Sequence, residues 1–194
     1  DLTLTDKLAK SMPGSTEAER QRAARLAQTI VFTSQGTPFM FAGEEVFRDK
    51  KGVHNSYKSP DSINAIDWNL KHLNAEQFSY YKELIALRKA HPAFRMTTAD
   101  DIARNLKFDK VNTPNLISYS LLNNANGDSA KEIKLVFNGA DNAASVKLPK
   151  SNWQVIAYNG KLDHTGLKDA EGKVMTMPGG NTEVPARSAL ILIR

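Results

Sequence analysis

Apolar and polar residues change rhythm along this chain. Residues 15–36 read STEAERQRAARLAQTIVFTSQG. Ala23, Leu26, Ala27, Ile30 and Val31 recur at three- and four-residue spacing, the period of one helix face. Thr16 and Glu19 form a Thr-x-x-Glu capping box that satisfies two free backbone donors at the helix start, and Gly36 is a stop. The run TPFMFAG follows, continuous, apolar and bounded by Pro and Gly, which predicts a strand covered on both faces. A second helix is predicted over NAEQFSYYKELIALRKAHPAF, capped by Asn74 with Gln77 three residues on. Its apolar side is Phe78, Tyr81, Leu84, Ile85 and Leu87. Arg88, Lys89 and His91 suit the negative end of its dipole, and Pro92 ends it. After residue 95 the runs shorten: LKFDKV, NLISYSLL, EIKLVFNG, ASVKLP, WQVIAYNG, KVMTMP and SALILIR, with turns rich in Gly, Asn and Pro between them. That spacing predicts an antiparallel sandwich.

The chain therefore divides in two. Residues 1–94 read as an incomplete part of an α/β architecture, because one buried strand cannot make a parallel sheet. Residues 95–194 read as a complete all-β sandwich domain expected to fold alone. The first half, cut from its neighbours, is expected to expose apolar faces and drive self-association. The sequence starts at Asp1 without an initiator Met, so it is expected to belong to a longer polypeptide.

Composition narrows the function classes. The net charge is +5, from 26 Lys and Arg against 21 Asp and Glu, with no block of five basic residues. A solvated surface explains this better than a nucleic-acid patch. No apolar run reaches the roughly 18 residues of a membrane helix. Cysteine is absent, which removes disulfides and thiolate metal sites and leaves the redox compartment open. His54, His72, His91 and His164 are scattered, so no metal site is assigned.

The segment after the apolar run, GEEVFRDKKGVHNSYKSPDSINAIDW, concentrates polar and aromatic chemistry. In α/β barrels the site lies where strands end, so this loop reads as a binding wall. Arg48 offers a planar fork of donors, or pairs with Glu44 or Glu45. Asn55, Asn64 and Asp61 can bridge hydroxyls, although both Asn also suit turns or caps. Tyr57 and Trp68 offer flat apolar faces, with Trp68 read rather as packing under the loop. Asp67 reads as a turn cap, and Lys50, Lys51 and Lys58 as solvated. Glu44 and Glu45 are a poor catalytic pair, since adjacent extended residues point to opposite faces. Residues of this kind suit a neutral polyhydroxyl ligand.

Taken in order, SQGTPFMFAGEEVFRDKKGVHNSY, SPDSINAIDW, YYKELIALRKAHPAFR and VPARSALIL carry a resemblance to a known family. The chain resembles the C-terminal portion of type I pullulanases, starch-debranching members of the α-amylase superfamily. The resemblance covers nearly the whole sequence. It implies an α+β fragment: the last helix-strand-helix of a (β/α)8 TIM barrel, then the antiparallel β-sandwich. It implies hydrolysis of α-1,6-glucosidic branch links in α-glucans with retention, by an Asp nucleophile, a Glu acid/base and a second, transition-state-stabilising Asp. The nucleophile and acid/base fall upstream, so this chain alone is expected to be inactive. The third carboxylate precedes a Leu-Thr-Leu-x-Asp-Lys-Leu run, here DLTLTDKL, so Asp1 adjoins it; a one-residue slip makes Asp1 that carboxylate.

Carried over by position, Asp61 would hydrogen-bond a glucose two or three units from the cleavage point. Arg48, Asn55 and Tyr57 would shape or brace the wall, and Asn64 would support it. Some relatives have an Arg where this sequence has Ala65, which puts the donor subsite's shape in question. The resemblance implies no required cofactor and allows a structural calcium in the whole enzyme. Its partners would be the α-glucan and the missing upstream barrel, and an extracellular or cell-envelope location is the usual family case. Two other readings stand beside it. One is an isoamylase or glycogen-debranching relative. The other is a non-catalytic glycan-binding module presenting Trp153, Tyr119 or Tyr158.

Overall fold

The computed structural model describes residues 2–194. The expected first helix forms as α2 (Glu17–Thr33), preceded by a shorter α1 (Leu4–Ser11). The Thr16 capping box is present: Glu19 N donates to Thr16 Oγ1 at 3.2 Å, and Thr16 N donates to Glu19 Oε2 at 2.7 Å. Thr3 and Asp6 build a second capping box on α1. After α3 (Asp61–Asn64) and α4 (Leu70–Leu73) comes α5 (Ala75–Ala90), the second expected helix. Its start differs from expectation. The Asn74 side chain makes no cap bond and donates instead to Val46 O at 3.0 Å, fixing the loop to the helix.

The two long helices are joined through polar contacts. Thr29 Oγ1 lies 2.7 Å from Tyr80 Oη, and Arg25 Nε donates to Gln77 Oε1 at 2.9 Å. Arg88 does not serve its own helix end. Its guanidinium donates to Phe32 O and Ser34 O, each at 2.8 Å, and to Gly36 O. A cation on α5 thus satisfies carbonyls left free at the end of α2. The Gln35 side chain completes the junction, donating to Ala93 O at 2.8 Å and accepting from Met96 N at 3.0 Å.

The run TPFMFAG corrects the expected buried strand. Residues 37–41 form no strand, and Phe39 is 80% exposed. A strand needs neighbours for its amides and carbonyls, and no strand of the described residues lies beside this run. The barrel itself is not in this chain.

The sheet region matches expectation in kind. A short α6 (Ala99–Asn105) leads into β1 (Leu106–Phe108), β2 (Leu116–Leu122), β3 (Glu132–Asn138), β4 (Ala144–Leu148), β5 (Trp153–Tyr158), β6 (Lys161–Leu162), β7 (Thr176–Met177), β8 (Gly180–Val184) and β9 (Ser188–Ile193). The main antiparallel sheet runs β1-β2-β3-β9-β5-β6, with β7 on β5, and β4 pairs β8 in a second small sheet. Every residue of β3 is buried, because both faces of the main sheet are covered. On one face Val136, Trp153, Val155, Leu190 and Leu192 meet Val146, Leu148 and Val184 of the small sheet. On the other, Tyr119, Ile133, Leu135, Phe137 and Ile191 share a core with Leu26, Phe32, Tyr81, Leu84 and Phe94 from the helical half. Strands begin at Leu106, after α6, and one core joins them to the helices.

The helix faces are rotated slightly from their expected registers. Ala24, Leu26 and Phe32 are buried on α2, whereas Ile30 is exposed; on α5, Tyr80, Tyr81, Leu84 and Leu87 are buried, whereas Ile85 is exposed. The buried stripes follow the sheet that each helix packs on.

Candidate functional site

The loop from Gly43 to Trp68 is irregular but strongly tethered. It opens on a sharp turn with Gly43 at φ +96°, where an added Cβ would lie 2.6 Å from Arg48 Cδ and 2.7 Å from Arg48 Cβ. Glycine is required there on both counts. The turn lets Arg48 fold back under the loop. Its guanidinium donates to Ala42 O at 3.1 Å and to Asn64 O, and lies 5.6 Å from the Phe41 ring centroid. It is buried, and its two terminal nitrogens hold loop backbone while Nε has no partner among the described residues. Glu44 is taken by Gln28 Nε2 at 2.7 Å, and Glu45 accepts from Gly43 N at 2.9 Å. Burial pushes the Glu44 carboxyl up, and the neighbouring charge of Glu45 adds to this, against hydrogen bonds from Phe41 and Gln28.

Asn64 supports the same loop, donating to Ser56 O at 2.7 Å and Ser59 O at 2.9 Å. Lys50 departs from the solvated reading: it is buried, donates to Ser56 Oγ at 2.7 Å and lies 5.3 Å from the Phe41 ring centroid. Asp67 caps its turn by accepting from Asn69 N at 2.9 Å.

The tether that sequence reasoning missed is Asp6. Its carboxylate accepts from Lys50 N at 2.9 Å, Gly52 N at 2.8 Å and Thr3 Oγ1 at 2.7 Å. From the same helix Lys10 Nζ donates to Gly52 O at 3.0 Å. Burial opposes ionisation of Asp6, but the hydrogen bonds from Thr3, Gly52 and Lys50 outweigh it and hold the carboxyl below the usual aspartate range. The signal was the Thr3-x-x-Asp6 spacing, which marks a capping box; the reach to a loop more than 40 residues on was not readable.

These tethers leave three site residues facing solvent. Asn55, Tyr57 and Asp61 are exposed, Tyr57 at 72%. Asp61 opens α3, whose far end is held by Asn64 and Arg48. The structure thus separates the candidates into a presented set (Asn55, Tyr57 and Asp61) and a supporting set (Arg48 and Asn64). Trp68 differs from expectation, being 64% exposed rather than packed under the loop. Asp1 lies outside the described residues. An exposed amide, phenol and carboxylate on a braced loop can hydrogen-bond hydroxyls and stack on a sugar face.

Of the three rings read as an aromatic platform, two are buried and Tyr158 is half-buried, while Phe108 is exposed. Trp153 is fully buried, with its Nε1 donating to Pro149 O at 3.0 Å, and Tyr119 is buried too. Elsewhere, His164 is not isolated: it meets Glu83, 81 residues earlier, at 2.7 Å between Nδ1 and Oε2, with Asp163 alongside. The separation along the chain hid this grouping.

A helical segment docked on an antiparallel all-β domain is the class of architecture that these contacts define. Residues 102–161 match the family described as the pullulanase all-beta domain. The chain is 36% identical over 167 residues to the pullulanase of Bacillus subtilis (strain 168), covering 86% of this chain and 23% of that protein. It is 27% identical to an isoamylase of a Flavobacterium species, over 93% of this chain and 26% of the relative. The solved pullulanase from Bacillus acidopullulyticus superimposes with a TM-score of 0.91 at 40% identity, covering all of this chain and 23% of that one. The chain belongs with the pullulanases, as a C-terminal portion. It spans about a quarter of the length of the relatives it matches.

Proposed function

We propose that this chain is the C-terminal portion of a starch-debranching glycoside hydrolase of the pullulanase type. The whole enzyme hydrolyses α-1,6-glucosidic branch links in pullulan, starch or glycogen-like α-glucans, with retention of configuration. Retention places an Asp nucleophile and a Glu acid/base about 5–5.5 Å apart across the scissile bond. In this reading both lie on the upstream barrel, so the present chain alone is inactive. The chemistry is carried by carboxylates and needs no cofactor, and the family resemblance allows a structural calcium in the whole enzyme without assigning it a site.

The observation that carries the proposal is the tethered loop at Gly43–Trp68, in a chain that matches pullulanases along its length. The loop closes one side of the barrel mouth and forms the donor-side wall for the glucan. Asp61 hydrogen-bonds a glucose hydroxyl, Asn55 and Tyr57 shape the wall, and Arg48 and Asn64 hold its backbone in place. Asp1 adjoins the third carboxylate. The whole enzyme, assayed on pullulan, releases reducing sugar, whereas the 194-residue chain releases none. Release of sugar by the 194-residue chain would overturn the assignment of the catalytic pair upstream. The similarity to an isoamylase keeps a second specificity in view. Faster hydrolysis of glycogen than of pullulan by the whole enzyme would favour it.

A further inference from the structure

Glu83, Asp163 and His164 meet where the second long helix touches the sheet region. Glu83 Oε2 accepts from the His164 backbone N at 2.9 Å and lies 2.7 Å from His164 Nδ1. Asp163 Oδ1 accepts from Thr165 N at 2.8 Å and from Thr165 Oγ1 at 2.7 Å, which orients its carboxylate. One oxygen of each carboxylate and one ring nitrogen of His164 all lie within 4.8 Å of one another. The backbone around them is fixed on both sides, since Leu162 of β6 and Leu84 of α5 are buried in the same core.

The group is only partly buried, with the His164 and Glu83 side chains 34% and 29% exposed, so an ion can reach it from solvent. Its charge balance is unusual for a simple ion pair. Two carboxylates face one imidazole within 4.8 Å, more acidic groups than a single ring can pair with. A divalent cation balances them. An imidazole nitrogen beside carboxylate oxygens selects first-row transition ions over calcium or magnesium, which prefer oxygen alone. Bonds of about 2.0–2.2 Å require ligand atoms roughly 3.4 Å apart, a contraction that side-chain rotation supplies.

We propose that Glu83, Asp163 and His164 form a binding site for a divalent transition-metal ion of the zinc class, which clamps α5 to the hairpin of β5 and β6. Binding replaces the contact between Glu83 and Nδ1 by two metal bonds; a neutral ring then carries its one proton on Nε2, and a charged ring releases one proton to solvent. Water completes the coordination.

The test is titration calorimetry of the 194-residue chain with zinc chloride in a metal-free, non-chelating buffer, with calcium and magnesium as comparisons. One equivalent of zinc binds, calcium and magnesium bind far more weakly, and the melting temperature rises with zinc. His164→Ala and Asp163→Asn each lower the zinc affinity by at least about tenfold, while His72→Ala leaves it unchanged. Should His164→Ala fail to fold, Asp163→Asn decides the matter, since it keeps size and shape. Zinc affinity unchanged in Asp163→Asn, no stoichiometric binding, or calcium binding as tight as zinc would each overturn the proposal. The trio would then be a hydrogen-bonded tie only. None of these readouts depends on glucan hydrolysis.

Discussion

His91 Nδ1 lies 2.9 Å from Asp128 Oδ1, a buried contact between the residue that ends α5 and the turn joining β2 to β3. The same carboxylate accepts from Ala93 N at 3.1 Å and from Ala130 N at 2.8 Å. One side chain therefore holds the junction between the helices and the sheet. Burial disfavours its charge, but the bonds from His91, Ala130 and Ala93 prevail and keep its carboxyl below the ordinary range. A depressed folded value contributes stability that is complete above the unfolded value, about 3.9. It is lost as pH falls through the lower folded value. Asp128→Asn should flatten the fall in melting temperature below about pH 4 relative to the parent, and Asp128→Ala should cost about 3 kcal/mol at pH 7. Thermal melts of both variants across pH 2–7 check this.

Arg88 gives a second test of the same junction. Its fork reaches three carbonyls at the end of α2, Phe32, Ser34 and Gly36. A lysine has no planar fork and cannot reproduce the pattern. Arg88→Lys should cost about 1–2 kcal/mol and Arg88→Met about 3 kcal/mol, since the latter removes the partner of the buried Phe32 carbonyl and of the part-buried Ser34 and Gly36 carbonyls. For a chain of this size the shifts are about 2–4 °C per kcal/mol, measurable by calorimetry.

How much of this was legible in the sequence follows from the range of each interaction. The Thr16 capping box lies within four residues and was read correctly. The alternating runs after residue 95 announced antiparallel strands, because period two is itself a local property. TPFMFAG was misread, since strand formation depends on partners and the run itself carries only apolarity. Arg88 and His91 were read as dipole residues and His164 as an isolated histidine, because their partners lie tens of residues away. In the loop, the resemblance pointed to Asn64 and Arg48, which both hydrogen-bond to loop backbone, whereas no pattern links Lys50 and Asp6 to their partners.

The shared core makes a prediction about truncation. Sequence pattern alone suggests that residues 95–194 fold independently. However, Tyr119, Ile133, Leu135, Phe137 and Ile191 are buried against α2 and α5. Excised, the sheet would expose that face. Residues 95–194 should bind a hydrophobic dye and elute as oligomers, while the 194-residue chain shows far less dye binding. A monodisperse, dye-negative fragment on size exclusion would show that the small sheet alone suffices.

Asp6 tests whether the loop is held from α1. Asp6→Asn keeps the shape but removes the charge that strengthens the bonds from Lys50 and Gly52, and should cost about 1–3 kcal/mol locally. Hydrogen exchange at the amides of Lys50 and Gly52 should speed up by roughly tenfold or more, with little change at Ile133 or Leu190 in the sheet. The carboxyl titrates below its ordinary value, so the tether is complete above about pH 4 and weakens as pH falls further. Uniform acceleration across the sheet would mean that Asp6 supports the whole fold and not the loop.

Asp61 separates a binding role from a structural one. Its side chain is exposed at the start of α3, and the turn is held by Asn64 and Arg48 instead. Asp61→Ala should change stability by no more than about 0.5 kcal/mol, the usual range for surface positions. If Asp61 has the proposed role, the same change in the whole enzyme removes a charged hydrogen bond to the glucan, worth about 1.5–3 kcal/mol, and affinity for the substrate should fall by roughly tenfold to a hundredfold. Asn64→Ala should differ by loosening the loop, so that the melting temperature falls along with affinity. Measuring KM and kcat on pullulan beside the melting temperature distinguishes the two. If Asp61→Ala leaves KM and kcat unchanged while Asn64→Ala alters both, the loop is a wall without a hydrogen bond from Asp61.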